Sequence, residues 1–211
     1  MSTSWSQSGT GPTRIKICGI SDTGTALAAV EAGADAIGCV LAPNSPRTVS
    51  PGIAIEIASN LPGHVELVGV FVNGDLDQAL LPWQPRWTQL HGQEDLSIVE
   101  QLSGPVIRAI AFDEDLIRRW DGTPGVDRLL VDNHQPGSGH SFDHDAFAEL
   151  RESLQTPLVL AGGLTPDTVG NAIRQLRPWA VDVSSAVESS PGVKDIGLIR
   201  EFCAAVRNAD G

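Results

Sequence analysis

A single closed parallel (βα)8 barrel is the fold class that the sequence predicts, and three observations carry it. Eight short apolar segments of strand character start roughly 20 to 30 residues apart, the length of a strand, a loop and a short helix. Helical stretches fall between several of them, and Gly, Asn or Asp often follows the strands. No shift in composition divides the 211 residues, a length that suits one barrel domain. An open doubly wound sheet is the alternative, but no GxGxxG follows the first strand to favour it.

The first strand, Ile15 to Cys18, alternates so that Ile15 and Ile17 face the helices while Lys16 and Cys18 face the barrel axis. A helix over Asp22 to Ala32 follows, with Ala26, Leu27 and Val30 on its packed face. Ala36 to Leu41 forms the second strand and Pro51 to Asn60 the next helix. The third and fourth strands, Glu66 to Val72 and Trp87 to His91, flank a short Pro-rich stretch that implies a reduced helix. The fifth, sixth and seventh strands are Val106 to Phe112, Arg128 to Asp132 and Leu158 to Ala161. Thr165 then caps a helix running to Leu176, with Pro166 at its first helical position. Ala180 to Ser184 closes the barrel, and Asp195 to Val206 places Ile196, Ile199, Phe202 and Val206 at helical spacing. Residues 1–12 read as a disordered extension, which leaves 13–209 as the barrel catalytic domain.

Composition excludes several classes. With 14 basic against 26 acidic residues the net charge is -12, and no basic cluster offers a phosphate-backbone surface, so nucleic acid is not an expected partner. No apolar run reaches the roughly 20 residues of a membrane span, and the polar start does not read as a signal peptide. A cytoplasmic location follows. Cys18, Cys39 and Cys203 have no CxxC spacing and no histidine cluster, which argues against a disulfide scaffold and against a metal site. No coiled-coil heptad is evident, so a monomer is the default and a homodimer the alternative.

In this architecture the C-terminal ends of the strands form the catalytic face. Cys18 ends the first strand there, where a nearby cation would make its thiolate available as base or nucleophile; the competing reading is a small buried hydrophobe. Asp132 ends the sixth strand, where the barrel mouth can raise a carboxyl toward a usable acid, or where it merely caps a loop. Together they form an acid and base pair suited to isomerisation. Gly162 and Gly163 lead from the seventh strand into a helix, and Ser184 and Ser185 follow the eighth. Paired turns in that order favour a phosphorylated small-molecule substrate held by backbone donors. Arg47, in the loop after the second strand, can hold a carboxylate in paired hydrogen bonds. His91 sits at the rim as a ligand contact or a loop hydrogen bond. Lys16 and Asp182 point inward on neighbouring strands and are expected to pair below the catalytic face. His134 and His140 flank Gly137-Ser138-Gly139, which suits a covering loop.

Taken in order, Lys16-Ile17-Cys18-Gly19-Ile20, Gly33 to Gly38, Ser45-Pro46-Arg47, Val68 to Asn73, Gln89-Leu90-His91-Gly92, Gly162-Gly163-Leu164 and Val181 to Glu188 resemble the phosphoribosylanthranilate isomerase family of tryptophan biosynthesis. The resemblance spans about Arg14 to Asn208 and implies a TIM barrel. It also implies Cys18 as general base, Asp132 as general acid, Arg47 on the anthranilate carboxylate, and an Amadori rearrangement that needs neither cofactor nor metal. Cys39 replaces a frequent bulky residue, and His140 stands where lysine is common. The alternatives are a related ribose-phosphate lyase or decarboxylase barrel and a non-catalytic phosphometabolite-binding protein, neither of which needs the Cys18 and Asp132 pair.

Overall fold

The computed structural model describes Trp5 and residues 11–73, 85–132 and 150–211. Eight parallel strands, β1 (Arg14–Cys18), β2 (Ala36–Val40), β3 (Glu66–Phe71), β4 (Trp87–Leu90), β5 (Val106–Ala111), β6 (Arg128–Asp132), β7 (Leu158–Ala161) and β8 (Ala180–Val183), close into a barrel in chain order. β8 returns to β1 with Lys16 opposite Asp182, so closure brings together two residues 166 positions apart. Several expected strands ran one residue too far at the C-terminal end, at Leu41, Val72, His91, Phe112 and Ser184. Each of these residues stands just past the last strand residue, where a loop of the mouth begins, although Leu41, His91 and Phe112 still donate a backbone N–H to the neighbouring strand.

The described helices are α1 (Thr23–Ala32), α2 (Pro51–Asn60), α3 (Leu96–Gln101), α4 (Glu114–Trp120), α5 (Pro166–Leu176) and α6 (Ile196–Ala209). Asp22, Ser50, Asp95, Asp113, Thr165 and Asp195 each accept a backbone N–H from the first turn, which satisfies donors that the helix itself leaves unpaired. At Thr165 the cap is reciprocal: Thr168 Oγ1 also takes the Thr165 N–H at 2.9 Å. The six-residue α3 and seven-residue α4 were not anticipated, because so short a stretch shows less than two turns of periodicity. In α1 the packed face is Ala26, Ala29 and Val30, and Leu27 is 38% exposed. The i, i+3, i+4 rule selects those three, whereas Leu27 lies one residue, about 100°, around the helix.

Alternation divides the core as expected from β1. Ile15, Ile17, Ile37, Leu129 and Val181 point outward against Ile57, Val169, Ile199 and Phe202 of the helices. Cys18, Ala36, Val68, Ile107, Leu130 and Val159 point inward and fill the barrel. At the N-terminal end of the strands, Trp5 is fully buried, edge-on to Trp87 at 6.4 Å and to Trp179 at 4.9 Å. The Arg14 and Arg128 guanidinium groups lie 4.6 and 4.1 Å from the Trp179 ring centre. The rest of the expected extension up to residue 10, the reduced helix over 74–84, and the loop carrying His134, Gly137-Ser138-Gly139 and His140 lie outside the described residues. Among the described residues no helix is long and apolar enough to cross a membrane.

Candidate active site

At the C-terminal ends of the strands lies a cavity of about 630 Å³ whose walls include Cys18, Arg47, His91, Asp132, Gly162, Gly163, Ser184 and Ser185. The eight residues expected as catalytic or substrate-binding therefore meet in one place, although they come from six of the eight strand-to-helix loops or strand ends.

Cys18 closes β1 beside Lys16. The Lys16 side chain is fully buried, donates to Asp182 Oδ1 at 2.9 Å, and also reaches the Cys18 thiol. Burial works against the ammonium, but Asp182 and Cys18 outweigh it and hold the Lys16 pKa above its ordinary value. Burial likewise pushes the Cys18 thiol up, while Lys16 and, further off, Lys194 pull it back. The sequence expectation that Lys16 and Asp182 pair is met, with the thiol as a third member. Gly38 of β2 makes this possible: a Cβ there would stand 2.9 Å from Cys18 Sγ and 3.1 Å from Lys16 Nζ. Cys39, by contrast, points into the helix-side core, donates weakly to the Ile20 carbonyl at 3.7 Å, and has its thiol pushed up to about 12 by burial. It shapes packing and not the cavity.

Asp132, at the end of β6, is half-buried, and its Oδ2 lies 3.6 Å from His91 Nε2. His91 in turn has its Nδ1 3.1 Å from Gln89 Nε2, on the fully buried Gln89 one pleat below. Arg108 of β5 secures the loop that carries His91: it donates to Leu90 and Gly92 carbonyls at 3.0 and 2.8 Å and pairs with Glu94 at 3.1 Å.

Arg47 is held by a partner that the sequence reading did not identify. Its Nε and Nη2 each donate at 2.7 Å to the two oxygens of Glu188, which also takes Lys194 Nζ at 2.6 Å and the Gly192 N–H at 3.2 Å. Lys194 further donates to the Ser184 carbonyl at 2.8 Å, tying this cluster to the turn after β8. Glu188 and Lys194 stand on a two-stranded hairpin, β9 (Glu188–Ser190) and β10 (Val193–Lys194), that follows the barrel. Glycine at 192, at φ 85°, lets this hairpin close onto the Arg47 loop, since a Cβ would overlap the Pro46 carbonyl. Glu188 was visible only as part of a motif; 141 residues separate it from Arg47, and nothing local announces the pair.

Although burial opposes it, Arg47 and Lys194 hold the Glu188 carboxyl down at about 2, against an ordinary 4.5. A depressed carboxylate stabilises the fold above its unfolded value, and that contribution disappears as pH falls through the folded one. The wild type is therefore expected to lose stability between pH 4.5 and about 2. Glu188→Gln should flatten that stretch of an acid-unfolding curve while being less stable at neutral pH.

The turn after β7 takes φ of 81° at Gly162 and 68° at Gly163 and leads directly into capped α5. Ser184 and Ser185 begin the short 3-10 turn Ser185–Val187. Both turns border the cavity, so the start of an 11-residue helix and a second short turn lie at the same space. Such a cradle suits a phosphate dianion and needs no net positive charge on the chain.

The sequence model for N-(5'-phosphoribosyl)anthranilate isomerase matches residues 15–205. Over 206 residues the chain is 43% identical to the N-(5'-phosphoribosyl)anthranilate isomerase of Dechloromonas aromatica (strain RCB), covering 94% of this chain and 98% of that one. Against the protein of the same name from Leptothrix cholodnii it is 41% identical over 203 residues, 94% of this chain and 92% of the other. Among solved structures, phosphoribosyl anthranilate isomerase from Thermotoga maritima is similar with a TM-score of 0.83 at 39% identity, covering 93% of this chain and 99% of that one. A phosphoribosyl anthranilate isomerase in complex with reduced 1-(o-carboxyphenylamino)-1-deoxyribulose 5-phosphate is similar with a TM-score of 0.81 at 38% identity, again over 93% and 99%.

Proposed function

The chain belongs to the N-(5'-phosphoribosyl)anthranilate isomerase family and is an isomerase of tryptophan biosynthesis, and from that premise we propose that Cys18 is its general base and Asp132 its general acid. The observation that carries the assignment is that these two groups, from β1 and β6, line one cavity with both phosphate-type turns.

N-(5'-phosphoribosyl)anthranilate binds with its phosphate against the turns at Gly162-Gly163 and Ser184-Ser185, and its carboxylate at Arg47. Asp132 gives a proton to the furanose ring oxygen as the bond from that oxygen to C1′ breaks, leaving an iminium at C1′. The Cys18 thiolate then takes the C2′ proton, and the resulting enolamine tautomerises to the ketose. Lys16 favours the thiolate by charge, which offsets part of the burial that opposes it. His91 lies at the Asp132 end of the cavity and contacts substrate there. The purified chain should convert the fluorescent substrate to carboxyphenylamino-deoxyribulose phosphate. If substrate is bound and no product forms, the assignment fails and the cavity is a binding site for the phosphometabolite.

Glu188 occupies two of the five guanidinium N–H donors of Arg47, leaving three for a carboxylate. Charged hydrogen bonds of this kind contribute about 1.5–3 kcal/mol. Arg47→Ala is accordingly expected to raise KM by roughly 10- to 100-fold with a smaller change in kcat, measured by initial rates across substrate concentration.

The barrel of residues 13–209 is the proposed catalytic unit, in the cytoplasm. Among the described residues, Leu27, Ile53, Leu96, Leu116 and Ile196, the exposed large apolar side chains of the helices, are spread over five of them, which supports a monomer. Sedimentation of the purified chain tests this against a homodimer.

A further inference from the structure

We infer that Gln89 is a positioning residue of the isomerase reaction: its amide nitrogen fixes the proton of neutral His91 on Nε2, where it faces Asp132, and its amide oxygen accepts a hydrogen bond from the substrate. This rests on the reading of Asp132 as general acid.

Gln89 lies inside the barrel on β4 with no solvent exposure and is one of the residues that line the cavity. Its Nε2 is 3.1 Å from His91 Nδ1, and with the amide in this orientation Nδ1 is the accepting, unprotonated nitrogen, since an amide N–H₂ only donates. The ring proton is then on Nε2, 3.6 Å from Asp132 Oδ2. Catalytic hydrogen bonds commonly tighten when the substrate complex forms, so this contact is placed to close during turnover. A donor at Nε2 stabilises the Asp132 carboxylate left after it has released its proton to the ring oxygen. The opposite tautomer would aim a lone pair at that carboxylate and oppose the step. His91 is also within the field of Asp182 on β8, and its loop is held by Arg108 and Glu94, so an uncharged amide sets the tautomer without adding to a site already crowded with charge.

The other end of the amide gives the second observation. Gln89 Oε1 is buried without a hydrogen-bond partner. A buried acceptor left unpaired is destabilising, and such groups in native proteins call for an explanation. In a cavity that takes a ribose phosphate, a sugar hydroxyl or the anilino N–H is the chemistry that satisfies it.

Nitrogen-15 NMR of the histidine-labelled protein, at a pH where His91 is neutral, reads the tautomer without any reference to activity. Protonated Nε2 and bare Nδ1 in the wild type are expected, with Gln89→Glu moving the proton to Nδ1, because a carboxylate there can only accept. Gln89→Leu should mix the tautomers, lower kcat by roughly tenfold or more, and raise KM by a similar factor through the lost acceptor. Protonated Nδ1 in the wild type overturns the proposal, as does a Gln89→Leu protein with unchanged kcat and KM. Asp132→Asn run alongside separates the two levels. If it retains full turnover, the assignment of the acid is wrong, whatever the tautomer of His91.

Discussion

Cys18→Ala and Asp132→Asn are each expected to lower kcat by roughly 10²- to 10⁴-fold while the barrel stays folded, the usual share of a positioned acid or base in a proton-transfer reaction. Neither group is replaceable from nearby. Cys39 is the nearest thiol in sequence to Cys18 but faces the helix-side core with its pKa at about 12, so it cannot take the C2′ proton in the cavity. On the acid side, Asp182 also borders the cavity, but it is committed to Lys16 at 2.9 Å and pinned there by burial. The two losses should differ in character. Asp132→Asn removes the acidic proton and keeps the shape, so substrate binding is preserved and kcat falls. Cys18→Ala removes a buried sulfur next to Lys16, and its residual activity should lose the alkaline rise that thiolate formation gives to the wild type. The check is a pair of pH profiles of kcat and kcat/KM, with a product analogue titrated against each variant. Full turnover in either variant would remove that residue from its assigned role.

How far the sequence carried this site depended on how local each signal was. Strand ends are local: alternation placed Cys18 inward, a terminal carboxylate marked Asp132, and a Gly-Gly turn before Thr165-Pro166 marked the start of α5. Barrel closure extended that reach once, because it makes the first and eighth strands neighbours and so joined Lys16 to Asp182. Glu188 and Lys194 lay beyond it. Their effect on Arg47 arises only when a hairpin after β8 folds over the loop after β2, and no periodicity in the chain encodes that contact. Gln89 was hidden for the opposite reason. It was visible only as the first residue of the motif Gln89-Leu90-His91-Gly92, in which the histidine was the residue read for chemistry, and nothing local marks the amide below it. Trp5 illustrates a third limit. A polar N-terminal stretch gives no hint that its one aromatic ring is buried against Trp87 and Trp179 at the far end of the barrel.

Lys16→Met is expected to destabilise the fold by about 3–5 kcal/mol, a large part of the 5–15 kcal/mol that domains commonly have, because it leaves the Asp182 carboxylate buried without its partner. The loss should be largest where Asp182 is held as a carboxylate and should shrink toward lower pH, because burial already holds that carboxyl above its ordinary value and, without Lys16, protonation relieves the unpaired charge. Lys16 has its pKa raised in the folded state, so its contribution is complete below the unfolded value of 10.5 and is lost only as pH rises through the folded one. Urea titrations of wild type and variant at several pH values between 6 and 9 should therefore show a stability gap that narrows as pH falls, set by Asp182 in the variant and not by Lys16 in the wild type. Removing the second charge as well, in Lys16→Met with Asp182→Leu, should recover most of that loss, since a buried ion pair exchanged for packed apolar groups is often neutral in stability. Activity should not return with it. The Cys18 thiol would have lost the cation that pulls its pKa back against burial, so less thiolate would exist at neutral pH and the rate profile would move to more alkaline values. A double variant that is stable yet slow, with its rate profile moved to more alkaline pH, assigns Lys16 to the chemistry of the thiol, since the loss of Asp182 from the cavity wall would not move that profile in the alkaline direction. One that is stable and fully active would make the pair an internal brace of the barrel, and would leave Cys18 to ionise without its help.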